Sequence, residues 1–246
     1  MKRIALSLVI ALCTLAASAQ SIAKNELKQL QAFLNQPAAE SATNAQALKI
    51  SDLRSPATWE GITIENGHVT AINWKDKKLA GELNLSGFTA LVKVDVSRNH
   101  LTSLVLDGDA ALNEVNASRN RLATVSITGC GQIVKLSLNN NRLAELDLSG
   151  TPFLKDLNVA SNYFEALNVS NSTQLVSLNC QNNRLTSLMV TDCTALKNLY
   201  CGYNKLTSLT LAGLTNLTRL TIYRGNSSGG TVQDLSPLRN LINLKR

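Results

Sequence analysis

The sequence predicts a right-handed solenoid: one elongated stack of similar coils, with a parallel β-sheet along its concave face and irregular or extended backbone on the convex side. Two observations carry that reading. An asparagine returns every 21 residues, at Asn99, Asn120, Asn141, Asn162, Asn183 and Asn204. Apolar residues return around it in the same frame, as in Ile133-Val-Lys-Leu136-Ser-Leu138-Asn-Asn-Asn141-Arg-Leu143-Ala-Glu-Leu146-Asp-Leu148. A register held across residues 91–216 is the mark of stacked repeats rather than of a globular fold.

Written as a pattern, with isoleucine or valine allowed for leucine, the unit is L-x-x-L-x-L-x-x-N-x-L, the leucine-rich-repeat signature. Six consecutive units start at Leu91, Leu112, Ile133, Leu154, Leu175 and Leu196. One unit alone has no second layer on which to bury its leucines, so it stacks on neighbours that share its inward positions. The opening L-x-x-L-x-L is expected to form a short strand, with coils repeating at roughly 4.8 Å. Asparagine suits the turn after that strand because its amide both donates and accepts, and can satisfy backbone groups that would otherwise be buried unpaired. A repeat this short leaves little room for a convex helix, and turn-rich segments such as Ser149-Gly150-Thr151-Pro152 favour irregular backbone there.

The flanks depart from the pattern in readable ways. A degenerate first repeat spans 69–90: Val69-Thr-Ala-Ile72-Asn-Trp74 reaches Leu83 and Leu85 with one extra residue, and Lys77 stands in the asparagine slot. After Leu217-Thr-Arg-Leu220-Thr-Ile222, the segment Gly225-Asn-Ser-Ser-Gly-Gly230 breaks the frame and reads as a surface loop, giving an irregular repeat over 217–240 and a partial one over 241–246. No polar closing unit follows, so the last rung is expected to be open, or covered by a partner.

Residues 1–19 read as a signal peptide: Met1-Lys2-Arg3, an apolar stretch from Ile4 to Leu15, and the small-residue site Ala17-Ser18-Ala19. The leader looks bacterial. The expected product is an exported mature chain beginning at Gln20, with a periplasmic, outer-surface or secreted location and no transmembrane segment. The 24 basic residues less Lys2 and Arg3 leave 22 against 17 acidic, about +5. Residues 20–68 are expected to cap the stack. Ala23, Leu27, Leu30 and Leu34 share one face of a helix ended by Pro37, and Asn66-Gly67 marks a two-residue hairpin. Trp59 and Trp74 are expected to be core plugs of this cap.

Cys180 and Cys201 occupy the third inward position of adjacent strands, where other units carry Val96, Leu138, Val159 and Ile222. Side chains projecting in parallel suit a disulfide poorly, so free buried thiols are expected. Cys130 and Cys193 share another repeat position three coils apart, too far to pair. The spacing of cysteines and of His68 and His100 argues against a zinc site. Asp107-Gly-Asp109 reads as a structural turn, since a calcium loop needs further acidic ligands.

The 21-residue unit with cysteine at an inward strand position, in Leu175-Val-Ser-Leu-Asn-Cys180-Gln-Asn-Asn183 and Leu196-Lys-Asn-Leu-Tyr-Cys201-Gly-Tyr-Asn204, resembles the cysteine-ladder repeats of internalin-J-like bacterial surface proteins. It is also similar to secreted leucine-rich-repeat proteins of gut and oral Gram-negative bacteria. Trp59-Glu-Gly61 with Val69-Thr-Ala-Ile72 resembles the N-terminal caps of plant leucine-rich-repeat receptors, and Asp234-Leu-Ser-Pro237-Leu238-Arg-Asn-Leu241 resembles the internalin repeat. These resemblances imply adhesion or protein binding outside the cytoplasm. Most units here carry Val, Ala, Leu or Ile where the ladder would place cysteine, and the cell-wall sorting motif of the internalins is lacking.

Outward residues give the candidate sites. The column after each asparagine reads His100, Arg121, Arg142, Tyr163, Arg184, Lys205, a basic ridge expected along one edge of the concave face. Tyr200, Tyr203 and Tyr223 are expected outward on two late coils, with Lys197, Arg219 and Arg224 nearby, the residue types that dominate binding hot spots. The expected function is therefore an exported protein-binding module acting through its concave face, with recognition of acidic glycans or surface polysaccharide by the basic ridge as the alternative. No catalytic grouping, phosphate loop or carboxylate pair is legible, so neither enzyme activity nor a cofactor is expected. The modest charge and the leader argue against nucleic acid. A monomer is expected, with dimerisation through the open C-terminal end as the other arrangement.

Overall fold

The computed structural model describes residues 22–170 and 172–222. The late loop, the tail repeat, the leader, Tyr223 and Arg224 lie outside the described residues. Within them the chain is a right-handed stack of coils, each contributing one short strand to a single concave sheet.

The concave sheet starts with an antiparallel hairpin, β1 (Ile62–Glu65) and β2 (His68–Asn73). Its turn is the expected Asn66-Gly67, with φ of 51° and 77°, the left-handed pair that a tight hairpin requires. One strand per coil then joins in parallel: β4 (Lys93–Asp95), β6 (Glu114–Asn116), β8 (Lys135–Ser137), β9 (Asp156–Asn158), β11 (Ser177–Asn179), β13 (Asn198–Tyr200) and β14 (Arg219–Thr221). From β4 onward the partners lie one 21-residue repeat apart, as in Val94↔Val115↔Leu136↔Leu157. The first step, Ile72↔Val94, is one residue longer, which locates the extra residue of the degenerate first repeat.

The opposite face also contains short strands, a refinement of the irregular backbone expected there. The strands β3 (Ala80–Asn84), β5 (His100–Val105) and β7 (Thr124–Ser126) form one parallel sheet, while β10 (Ala166–Asn168) and β12 (Ser187–Met189) form another. Between the two faces lies a thin leucine core. Leu91, Val94, Leu101, Leu104, Leu112, Leu136, Leu138 and Leu178 are all fully buried.

The asparagine ladder fastens one coil to the next. The Asn141 Nδ2 donates to Leu138 O at 2.9 Å within its own turn and to Ala117 O of the preceding coil at 3.0 Å, while Oδ1 accepts from Leu122 N at 3.0 Å. Asn120, Asn162, Asn183 and Asn204 repeat the arrangement. The residue before each asparagine, Arg98, Arg119, Asn140, Ser161, Asn182 or Tyr203, is left-handed with φ of 55° to 58°. Few of these are residue types that favour that region, so nothing in composition announces the turn.

The cap closes the first coil with apolar cover and with amides. Helix α1 (Lys24–Leu34) buries Leu30, Phe33 and Leu34, and Phe33 stacks on Trp74 with centroids 6.0 Å apart. The expected face needs correcting in detail: Ala23 precedes the helix as its N-cap, Leu27 is half-buried, and Phe33 and Glu26 take the interior. Glu26 is buried because its carboxylate meets His68 Nδ1 at 2.8 Å and accepts from Val69 N at 2.9 Å, tying α1 to the hairpin. Trp59 and Trp74 are buried plugs, donating through Nε1 to Asp52 O and Glu60 O.

The edge of β3 that faces the cap is paired by side chains. Asn44, in the short helix α2 (Asn44–Ala47), accepts from Ala80 N and donates to Ala80 O; Gln36 does the same for Glu82 N and O. Two amides thus stand in for the missing strand and blunt an edge open to aberrant pairing. Gly81 between them has φ of 87°, and a Cβ there would lie 2.0 Å from Gln36 Oε1.

Asp109 occupies an inward position shared with Phe88, Cys130 and Thr151. Its Oδ1 accepts from Phe88 N at 2.8 Å, and its Oδ2 is buried without a partner. Burial pushes its carboxyl up from 3.8 to about 8, against the backbone hydrogen bonds that lower it.

Three predictions follow from these contacts. Replacing Asn141 by Leu leaves Leu122 N and the carbonyls of Ala117 and Leu138 without that amide, and should cost about 3 kcal/mol or more in urea unfolding despite the gain in apolarity. Leu136→Ala in the same assay should cost about 2–5 kcal/mol. For Asp109 the folded chain holds a proton that the unfolded chain releases near pH 4. Its contribution is therefore fully present below about pH 4, shrinks as pH rises, and is gone above about pH 8. The Asp109→Asn variant should lose this component, visible as a flatter stability profile between those limits.

Candidate functional site

The concave sheet presents two outward columns. The first reads Lys93, Glu114, Lys135, Asp156, Ser177, Asn198, Arg219, and the second Asp95, Asn116, Ser137, Asn158, Asn179, Tyr200, Thr221. Their chemistry changes along the stack. At the N-terminal end the charges satisfy one another: Glu114 bridges Lys93 at 2.7 Å and Lys135 at 3.5 Å, on the strands to either side. The hydrogen bond from Lys93 lowers the Glu114 carboxyl, and the same bond raises the Lys93 ammonium. Cross-strand pairs of this kind align rungs and tie both lysines to one carboxylate.

The second column is also committed at that end. The Asp95 carboxylate accepts from Ser97 N and Oγ and from Asn116 Nδ2, and Asn116 accepts from Ser118 N and Oγ.

The late rungs differ. Tyr200 ends β13, between Asn179 and Thr221, and is half-exposed. Arg219 lies across from Asn198, diagonal to Tyr200, a spacing of roughly 7–8 Å between sheet neighbours. Lys197, just before β13, is exposed, and among the described residues no carboxylate pairs with it or with Arg219. Tyr203 is exposed at 42% but sits three residues beyond Tyr200, in the left-handed turn. Lys197, Tyr200 and Arg219 thus share the concave end of the stack, while Tyr203 stands at its rim.

The basic column lies farther round than expected. His100 opens β5, a strand of the opposite face, so the ridge of Arg121, Arg142, Tyr163, Arg184 and Lys205 runs along the corner where the chain leaves the concave turn. Its members from Arg121 onward are exposed. The Arg184 guanidinium stacks over the Tyr163 ring at 4.6 Å, so the one aromatic in the column joins the cationic stripe rather than breaking it.

The other polar candidates have structural partners. Asp107 accepts from Ser126 Oγ and Thr128 N of the next coil. Cys130, Cys180, Cys193 and Cys201 are free and buried. Burial pushes the Cys130 and Cys193 thiols up to about 11 and Cys201 to about 12, and it holds Cys180 well above the usual thiol range, which is the reverse of an activated nucleophile. Cys130 and Cys193 each donate to a carbonyl of the preceding coil, Leu106 O and Val169 O, at 3.0 Å. Among the described residues no cluster of three metal-binding side chains occurs, and no helix is long and apolar enough to cross a membrane.

No family model matches the chain, and no curated protein matches it. Solved structures do. The chain is similar to YopM, a leucine-rich effector protein from Yersinia pestis, at 20% identity over 80% of this chain and 58% of that one, with a TM-score of 0.56. It is similar to the functional domain of InlJ from Listeria monocytogenes, which includes a cysteine ladder, at 25% identity over 72% of this chain and 43% of that one, TM-score 0.48. The ectodomain of the receptor kinase SOBIR1 from Arabidopsis thaliana is 18% identical over 70% of this chain and 94% of that one, TM-score 0.44. The chain spans about half the length of the two bacterial proteins. With parallel strands one 21-residue repeat apart and an asparagine amide at each turn, the likeness to YopM completes the assignment: the chain folds as a leucine-rich-repeat solenoid.

Proposed function

We propose that this chain is an exported binding module that holds a protein partner on the late part of its concave sheet. The observation that carries the reading is the contrast between the early and late rungs of the concave sheet. Lys93 and Lys135 both pair with Glu114, whereas Lys197 and Arg219 beside Tyr200 have no acidic partner among the described residues. A preorganised sheet offering tyrosine and arginine supplies rigid area and directional polar tips at low entropic cost. Tyr203 extends this patch at its rim, and Tyr223 and Arg224, outside the described residues, complete the candidate set by their place in the sequence. Export rests on the leader at 1–19 and leaves periplasm, surface and medium as destinations. The protein acts as a monomer in this reading.

A second reading, recognition of acidic glycans, is favoured by the corner column, where Arg184 on Tyr163 forms a combined cationic and aromatic platform. The two readings separate in one experiment. Extracts of host and bacterial surfaces are passed over the immobilised chain, over Tyr200→Ala with Arg219→Ala, and over Arg142→Ala with Arg184→Ala, at low and high salt. A protein retained by the chain and by the ridge variant but lost at least tenfold by the concave variant is the expected result. Salt-sensitive retention of polysaccharide, lost only by the ridge variant, would establish the glycan reading; retention equal on all three surfaces would overturn both.

A further inference from the structure

On the face opposite the concave sheet, hydrogen bonding is interrupted at one coil. The strands β3, β5 and β7 are paired in series, and β10 pairs with β12, but residues 145–147, which lie between β7 and β10 in the stack, pair with neither. No backbone group of Ala144, Glu145 or Leu146 makes a hydrogen bond, and the Asp147 carboxylate turns back on its own chain to accept from Ser149 N at 2.9 Å. Elsewhere on this face side chains staple neighbouring coils, as Asp107 does to Ser126 and Thr128 and Thr186 does to Glu165 O. No such staple crosses residues 145–149.

The opening is bounded. At one end the chain is fastened by Arg142 N to Leu122 O and Tyr163 N to Leu143 O; at the other, Thr151 N and Oγ1 both donate to Leu148 O. Between coil 144–152 and coil 164–170 this leaves a slot of about 790 Å³, with a smaller one of about 440 Å³ on the β7 side. The larger volume falls in the range of roughly 300–1,000 Å³ typical of ligand sites. Its floor includes Leu146 and Leu167, and its rim carries Glu145, Asp147 and Glu165, all exposed, with no Lys, Arg or His in the lining. That is an acidic site in a chain of net charge +7. A second unpaired stretch at 208–210 has no acid of its own.

We infer that this slot accepts an extended basic peptide, which adds as a strand along the free edge of β10. Backbone groups left unpaired on both walls would take the main chain of such a segment. Alternate lysines would meet Glu145, Asp147 and Glu165, and the apolar residues between them would cover Leu146 and Leu167. A segment lying along residues 145–149 would be about five residues long at strand spacing. The occupant is distinct from the concave-face partner, and neither reading depends on the other.

The test titrates the full chain with three labelled pentapeptides: Lys-Val-Lys-Val-Lys, its Glu-Val counterpart, and Lys-Pro-Lys-Pro-Lys. The proline peptide keeps the charge but loses the donors a strand needs. Saturable binding of the first, at least tenfold weaker for the other two, is expected. Glu145→Lys with Asp147→Lys, both at exposed positions, should weaken that binding at least tenfold, and the amides of Leu146 and Leu167 should exchange more slowly in the complex. Equal binding of the two lysine peptides would reduce the effect to charge attraction and overturn strand addition. Binding unchanged by the double charge reversal, or no saturable binding, would overturn the site.

Discussion

The amide of the ladder asparagine is the interaction on which the rest of the structure depends. Each one uses its acceptor on the preceding coil and divides its donors between that coil and its own turn, so it sets the spacing, the register and the bend together. The first coil shows what happens without it. Lys77 has no amide to offer, and Asn99 of the next rung accepts from both Lys77 N and Leu79 N. The register there slips by one residue, and the coil leans instead on Asn44, Gln36 and the stacked Phe33 and Trp74. The cap is thus more than an apolar lid, because it replaces hydrogen bonds that the ladder cannot reach.

Because the ladder sits at the end of the concave strand, it constrains the two faces unequally. The concave sheet runs unbroken through nine strands, while the opposite face pairs only in groups of three and two. Coils held at strand spacing on one side and less tightly on the other must curve toward the tighter side. Openings at the slack side are a consequence of that geometry, and they fall where no side chain such as Asp107 bridges the coils. Curvature, the concave surface and the slot at 145–147 are therefore outcomes of one asymmetry.

Much of this was legible in the sequence because each element repeats. The period gave the strand positions, the inward leucines and the buried cysteines, since all of them follow from side-chain size and polarity at fixed spacing, and the Asn66-Gly67 hairpin followed from its own dipeptide. What escaped has the opposite character. The left-handed residue before each asparagine carries no composition signal, being arginine, serine or tyrosine at four of the six positions and asparagine at two. Glu26 and Asn44 read as ordinary polar surface residues, and their burial depends on partners 36 to 43 residues away. The basic column was expected on the concave edge, whereas His100 opens β5 of the opposite face, because a repeat position fixes which residues align and not the angle at which the turn delivers them. The break at 145–147 was invisible, since Glu145-Leu146-Asp147 keeps the same apolar pattern as the paired coils around it.

A stack in which each repeat position becomes a lengthwise column also limits what can bind it. Opposite charges within one column, as in Lys93, Glu114 and Lys135, sit one strand apart and cancel at short range. Like charges in one column, as in Arg121, Arg142 and Arg184, cannot cancel and extend as a stripe. A partner therefore meets bands rather than spots, and it gains most when its own charges repeat at the coil spacing or when it lies across a short run of rungs. The late concave rungs satisfy the second condition. There the sheet turns from paired charge to Asn198 and Arg219 in one column and Tyr200 in the next, so that a compact contact finds aromatic area beside a cation without an acidic partner among the described residues.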